Sequence, residues 1–168
     1  MDYTIRPIEP RDARGLNEIR RMPGVFENIL GHPAEPLKRS EEHIANLGPN
    51  DFQFVAVTST GTGEELVIGS AGLSLSASPR MRHVGNVGIM VHRDYQNIGV
   101  GRALMNALLD LADNWFKLVR VELTVYEDNE RAIHLYESLG FEREGLRRKT
   151  AVRNGEYVNE WMMGRVRE

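Results

Sequence analysis

Gln96, Gly99 and Gly101 stand as Q-x-x-G-x-G between an apolar run, VGIMV at 87–91, and a helical one that begins RALMNALLDL at Arg102. A strand, a glycine turn and a helix start are suited to holding phosphate. The first amides of a helix lack acceptors and carry partial positive charge. Glycine admits positive φ and lets a ligand come close to the backbone. The predicted chemistry is a phosphate-bearing cofactor cradled by the amides of Gln96, Asn97, Ile98, Gly99, Val100, Gly101 and Arg102. The same glycines also suit an ordinary strand-to-helix turn. Two familiar phosphate motifs do not fit. The P-loop needs a lysine and a hydroxyl after its last glycine, and Arg102 and Ala103 stand there. The dinucleotide fingerprint needs a small residue where Leu104 stands. Arg93 and Arg102 flank the turn. There is no cysteine, and His32, His43, His83, His92 and His134 show no metal spacing. No metal, thiolate nucleophile or disulfide is therefore expected.

The elements that must position this turn follow from hydrophobic periodicity. Strands are predicted at 3–8, 51–57, 66–75, 83–91, 120–125, from 141 onward, and at 157–166 around a turn at Asn154-Gly155. Helices are predicted at 12–21 with Asp12 as N-cap, at 37–47, from the glycine turn through Leu104, Leu108, Leu111, Ala112 and Trp115, and across Ala132, Leu135, Tyr136 and Leu139 with Gly140 as cap. The segment 25–36 reads as a loop or a short helix. Gly88 is a candidate bulge or an ordinary packing glycine. The order gives a mixed α/β chain with a largely antiparallel first half, unlike a doubly wound sheet. A length of 168 residues suits one domain, 1–168. The net charge of −3 argues against nucleic acid as a partner. No run approaches the ~18 apolar residues of a membrane span, and the N-terminus lacks a signal peptide's apolar core. A cytoplasmic enzyme is expected.

The set V-x-I-x-V at 87–91, Q-x-x-G-x-G at 96–101 and the amphipathic helix after it resembles the acetyl-coenzyme A site of the GNAT superfamily of N-acetyltransferases. Asn129, Ala132, Tyr136, Gly140 and Phe141 resemble that family's second motif, N-x-x-A-x-x-x-Y-x-x-x-G-F. The opening IRP and the last strand match its outline as well. The resemblance implies the GNAT acyltransferase fold, a mostly antiparallel mixed sheet of six to seven strands with about four helices. More finely, 120–145 and 153–166 resemble a bacterial subgroup of L-amino acid N-acetyltransferases. Related sequences on this fold act on phosphinothricin-like amino acids, diamines, antibiotics or protein N-termini.

The implied reaction is acetyl transfer from acetyl-coenzyme A to the primary amine of a small molecule, directly in a ternary complex and without a metal. The resemblance implies that strands 87–91 and 120–125 splay and that Ile89, Met90 and Val91 hold the pantetheine arm through their backbone. The amides from Gln96 to Arg102 then take the pyrophosphate, and Asn129 touches the arm while capping its helix. Tyr136 is the implied general acid for the departing thiolate. A thiol titrates near 8.5 and a tyrosine near 10, so that donation needs a helpful environment. Tyr136 also shares a helical stripe with Ala132 and Leu135, as a core aromatic does. Glu122 is the candidate base. Asn86 stands where relatives carry an acid, so an ordered-water relay is the alternative. Substrate contacts are expected from 25–36, with Glu27 and Asn28, and from the turns near Arg80 and Arg153. An amino acid would want an arginine for its carboxylate, and a polyamine a cluster of acids. Trp161 and Met162 suit either a homodimer face or the core. Acetylation of a peptide or protein N-terminus, and a non-catalytic acetyl-coenzyme A-binding module, are the alternative functions.

Overall fold

A computed structural model describes all 168 residues. Strands β1 (Thr4–Pro7), β2 (Asp51–Ser59), β3 (Glu65–Leu75) and β4 (Val84–Val91) form an antiparallel meander. Strand β5 (Arg120–Tyr126) lies parallel to β4. The hairpin of β6 (Glu142–Arg153) and β7 (Glu156–Val166) joins through β7, so the order across the sheet is β1-β2-β3-β4-β5-β7-β6. Four α-helices complete the fold: α1 (Ala13–Arg20), α2 (Leu37–Ala45), α3 (Val100–Asp110) and α4 (Glu130–Ser138). This is the mixed, mostly antiparallel architecture expected. No helix is long and apolar enough to cross a membrane.

Strand alternation divides the core between the two faces of the sheet. Ala56, Leu73, Val121, Leu123 and Val125 pack with Leu104, Met105 and Leu108 of α3 and with Ile133 and Tyr136 of α4. Val55, Val57 and Val67 pack with Leu16 and Ile19 of α1 on the other face. The β6–β7 turn falls where Asn154-Gly155 predicts it. Both residues have positive φ, 52° and 77°, which suits the right-handed twist of a two-residue hairpin. Gly140, at φ 94°, ends α4, and the Phe141 N–H reaches back to the Tyr136 carbonyl at 3.0 Å.

Three expectations need correction. The helix after the glycine turn does not carry its apolar stripe to Trp115. It widens into a π turn at Leu111–Trp115, in which the Phe116 N–H bonds the Leu111 carbonyl at 2.9 Å. The wider turn breaks the 3.6-residue phase, and Trp115 is left 75% exposed. Asp12 does not cap α1 through its side chain. It stands at the N-cap position, but its carboxylate accepts the Glu9 N–H at 2.8 Å, closing the 3-10 turn over Pro10–Asp12, and pairs with Arg6 at 2.8 Å. Gly88 is no bulge. The β3–β4 register runs unbroken from Gly69 opposite Val91 to Leu75 opposite Gly85.

The sheet opens instead between β4 and β5. They pair only at Val84–Arg120, Gly85–Val121 and Asn86–Glu122. Beyond that rung β4 stays on β3 and β5 stays on β7 along its full length. The two strands part, and a slot is left in the middle of the sheet.

Candidate active site

The slot belongs to a cavity of about 1060 Å³. Its wall takes in Val87 to Val91 of β4, Thr124, Val125 and Tyr126 of β5, the glycine turn, Asn129, Ala132, Leu135 and Tyr136 at α4, and side chains from the α1–α2 face of the sheet. Gly88 faces this space, and a Cβ there would meet no atom within 4 Å.

Ladder geometry tells which backbone groups reach the slot. The His92 N–H bonds the Ile68 carbonyl and the Ser76 N–H bonds the Val84 carbonyl, at 2.8 and 3.1 Å. In an unbroken antiparallel register, hydrogen-bonded pairs alternate. The backbone groups of Gly88 and Met90 therefore turn to β3, and those of Ile89 and Val91 turn to the slot. The Val91 carbonyl there accepts Nε2 of Gln96 at 3.0 Å. Met90 stays on the wall, yet its backbone is committed to the sheet.

At the turn, Asn97 and Gly99 have φ of 64° and 93°. None of the amides from Gln96 to Arg102 finds an acceptor in the protein. The first to do so is Ala103, which bonds the Gly99 carbonyl at 3.0 Å. Seven adjacent unpartnered donors at a helix N-terminus are a setting suited to an anion. Gly101 is close-packed: a Cβ would lie 3.3 Å from Cδ1 of Ile89 and 3.5 Å from Cδ2 of Leu135. The side chains of Ile98 and Val100 take no part in the wall, Ile98 being exposed and Val100 buried in the core. Arg102 lines the cavity, its guanidinium donating to the Ser138 hydroxyl at 2.9 Å. Arg93 turns away to the Pro23 carbonyl at 3.3 Å.

Tyr136 is only 6% exposed and lies edge-on to Phe141, with ring centroids 6.0 Å apart. Its hydroxyl makes no hydrogen bond within the protein, although the residue lines the cavity. Burial pushes the phenol well above its ordinary range, so it stays a proton donor. Asn129 caps α4, its Oδ1 accepting the Ala132 N–H at 3.3 Å, and lines the cavity too.

The structure does not bring every predicted residue to this wall. Glu122 occupies the last paired rung, outside the cavity lining, and accepts Nε of Arg120 at 2.8 Å. Glu27 also lies outside and caps its own loop through the Gly24 N–H at 2.8 Å, whereas its neighbour Asn28 lines the cavity. Arg153 pairs with Asp128 and lies over the Tyr126 ring, 5.7 Å from its centroid. Trp161 is half-buried against the core under Arg143, and Met162 is exposed. Sequence reasoning passed over Arg20, His43, Gln53, Ser70, Thr124 and Glu160, all of which line the cavity. They come from six elements and share no motif.

The acetyltransferase (GNAT) family profile matches residues 18–141. The chain belongs to the GNAT acetyltransferase family, and it is an N-acetyltransferase that acts on amines. It is 37% identical over 166 residues to the L-amino acid N-acetyltransferase AaaT of Escherichia coli K12, covering 99% of both chains. It is 32% identical to the spermidine N(1)-acetyltransferase of the same organism, over 92% of this chain and 81% of that one. Among solved structures, it shares its fold with a phosphinothricin acetyltransferase from Sinorhizobium meliloti in complex with AcCoA, at a TM-score of 0.82 and 22% identity over 99% and 89% of the two chains. A spermidine N-acetyltransferase from Vibrio cholerae in complex with CoA and spermine superposes at a TM-score of 0.79 with 24% identity, over 98% and 95%.

Proposed function

We propose that residues 1–168 form one N-acetyltransferase domain that moves the acetyl group of acetyl-coenzyme A directly to the primary amine of an L-amino acid in a ternary complex. The observation that carries this reading is the run of unpartnered amides from Gln96 to Arg102 beside a cavity that Tyr136, with no hydrogen bond to its hydroxyl, also lines. The open space at Gly88 and the free backbone edge of β4 suit the same ligand. The full-length likeness to AaaT supports the choice of amino acid.

Acetyl-coenzyme A supplies an activated acyl group and a leaving thiolate. The amides of residues 96–102 hold its pyrophosphate. Ile89 offers its N–H and C=O groups, and Val91 its N–H, to the pantetheine as an added strand would, and Asn129 touches the arm with the side-chain amide left over from capping. As the amine takes the acetyl carbon and the C–S bond breaks, Tyr136, kept protonated by burial, donates its proton to the departing thiolate sulfur. The amine must shed its own proton. Glu122 is held by Arg120 outside the cavity, so an ordered-water path along Asn86, Gln53, Ser70 and Thr124 is the reading the geometry favours.

Calorimetry with acetyl-coenzyme A, followed by a thiol-release assay over amino acids, diamines, aminoglycosides and short peptides, tests this. Saturable cofactor uptake and turnover of free amino acids are expected. Uptake without turnover of any amine would leave a binding module, and turnover of peptides alone would make it an N-terminal acetyltransferase.

A further inference from the structure

We propose that Arg20 receives the carboxylate of the acceptor, making the acceptor an α-amino acid rather than a polyamine. This rests on the acetyl-transfer reading above and adds the group that selects the substrate.

Arg20 is the last residue of α1 and lines the cavity, with a quarter of its side chain exposed. One edge of its guanidinium is taken: Nε donates to Oε2 of Glu35 at 2.6 Å, and one terminal nitrogen donates to Oε1 at 3.0 Å. The other terminal nitrogen, with two N–H groups, has no partner in the protein. Glu35 is an unusual residue to spend on a loop. Its carboxylate is 0% exposed, accepts from Arg20 and forms an ion pair with Arg39 of α2 at 3.4 Å. Its backbone carbonyl accepts Nδ2 of the buried Asn17 at 2.9 Å. A buried carboxylate is expensive unless its partners are fixed. Here α1 and α2 together hold it, and the outcome is an arginine on the cavity wall with one edge of its guanidinium free. Two cations against one carboxylate leave this cluster with a net positive charge.

The rest of the wall agrees. Its only carboxylates are Asp51 and Glu160. Asp51 accepts from the Ser74 hydroxyl at 2.9 Å and the Gly48 N–H at 3.0 Å. Glu160 is paired with Arg147 at 2.9 Å. No free acid cluster is left for the second ammonium of a polyamine. A zwitterion places its carboxylate two bonds from the attacking nitrogen, and a charge-assisted hydrogen bond from a preset guanidinium suits it.

The test is a thiol-release assay with acetyl-coenzyme A on matched sets, each comprising an L-amino acid, its carboxamide and its decarboxylated amine, with spermidine alongside. The wild-type protein is expected to favour the carboxylate member by about tenfold or more in kcat/KM. In R20Q that preference collapses towards one, through KM rather than kcat. Acetyl-coenzyme A uptake by calorimetry reports whether the variant is folded. If R20Q is not, R20K carries the test, since one ammonium held by Glu35 has no second edge to offer and loses the preference too. A structural tether alone would leave the preference intact. A folded variant that keeps it, or a wild-type protein that turns over the decarboxylated amines or spermidine in preference, overturns the proposal and leaves acetyl transfer standing. Thiol release from no amine at all would sink both.

Discussion

Two parts of one cavity wall are built from different materials. The turn from Gln96 to Arg102 offers backbone, seven amides in a row whose geometry depends on positive φ at Asn97 and Gly99. The wall on the α1–α2 face offers side chains, and each is held by another. Nε2 of His43 lies 2.7 Å from Oε1 of Gln53, and Nε2 of Gln53 donates to the Ser70 hydroxyl at 2.7 Å. The Ser70 proton goes to the Phe54 carbonyl at 3.1 Å, so its oxygen can only accept from Gln53. Gln53 therefore turns its carbonyl to His43, and His43 donates to it from Nε2. A cradle of amides recognises the same cofactor whatever side chains surround it. A wall of side chains can be rewritten to suit a new amine. A family with one cofactor and many acceptors is what this division permits.

Substitutions should separate the two parts, and the residue between them should matter most. Tyr136→Phe keeps the ring and its packing on Phe141 but removes the donor. Its kcat is expected to fall roughly hundredfold, with acetyl-coenzyme A affinity by calorimetry within about twofold. An unchanged kcat would take Tyr136 out of the mechanism. Next is Gly101→Val. Its Cβ would stand 3.3 Å from Ile89 and 3.5 Å from Leu135 before the branches are added. Overpacking of this kind costs about 1–3 kcal/mol, so the acetyl-coenzyme A Kd is expected to rise roughly tenfold to a hundredfold, for every acceptor alike. On the other wall, Gln53→Ala removes the link between His43 and Ser70. Amine KM is expected to rise about threefold to tenfold while the acetyl-coenzyme A Kd stays put. A cofactor defect in that variant would erase the distinction drawn here.

The same contrast explains what the sequence reveals and what it conceals. The turn is contiguous, and its glycines mark the residues where the backbone must bend and open, so strand, turn and helix are readable from Val87 onward. Asn129 and Tyr136 belong to one helix, at its start and near its end, where spacing again carries the information. Glu122 misled because strand membership does not say which rung is paired. It lies on the last closed rung, where Arg120 claims it, and the slot begins beyond it. Glu27 misled similarly, for one residue of offset in a 3-10 turn decides that Asn28, not Glu27, faces the cavity. Arg20, His43, Gln53 and Glu160 lie far apart along the chain and meet only because α1 and α2 fold over the β2–β3 hairpin and β7 lies beside β5. Trp115 fits the helical stripe in sequence, and the π turn that removes it has no signal short of the fold itself.

Acid should also tell the two parts apart. Burial pushes the Glu35 carboxyl up, but the hydrogen bond and charge of Arg20, with the charge of Arg39, outweigh it and hold the group below the ordinary range. A lowered native pKa stabilises the fold above the unfolded value, about 4.3 for glutamate, and that contribution fades as pH falls through the native pKa. Urea midpoints measured from pH 6 down to pH 3 are expected to drop less steeply in Glu35→Gln than in the wild-type protein. Parallel profiles would mean that the carboxylate of Glu35 adds nothing to the acid response.

The smallest effect is expected at Arg102, and it bears on whether amides or charges grip the pyrophosphate. Arg102 is exposed and pinned to Ser138, which in turn donates to the Leu135 carbonyl at 2.6 Å. Its amide belongs to the turn, but its guanidinium is directed to α4. An exposed charge contributes at most about 1 kcal/mol to such an interaction and is screened over roughly 10 Å at 0.1 M salt. Arg102→Ala should therefore weaken acetyl-coenzyme A binding by no more than about fivefold at low salt, and the difference from the wild-type protein should vanish near 1 M. The defect of Gly101→Val should survive the same salt series, because steric exclusion from a cradle of neutral amides is not screened. If instead Arg102→Ala costs as much as Gly101→Val, the grip belongs to side-chain charge, and the cofactor wall and the acceptor wall are built on the same principle after all.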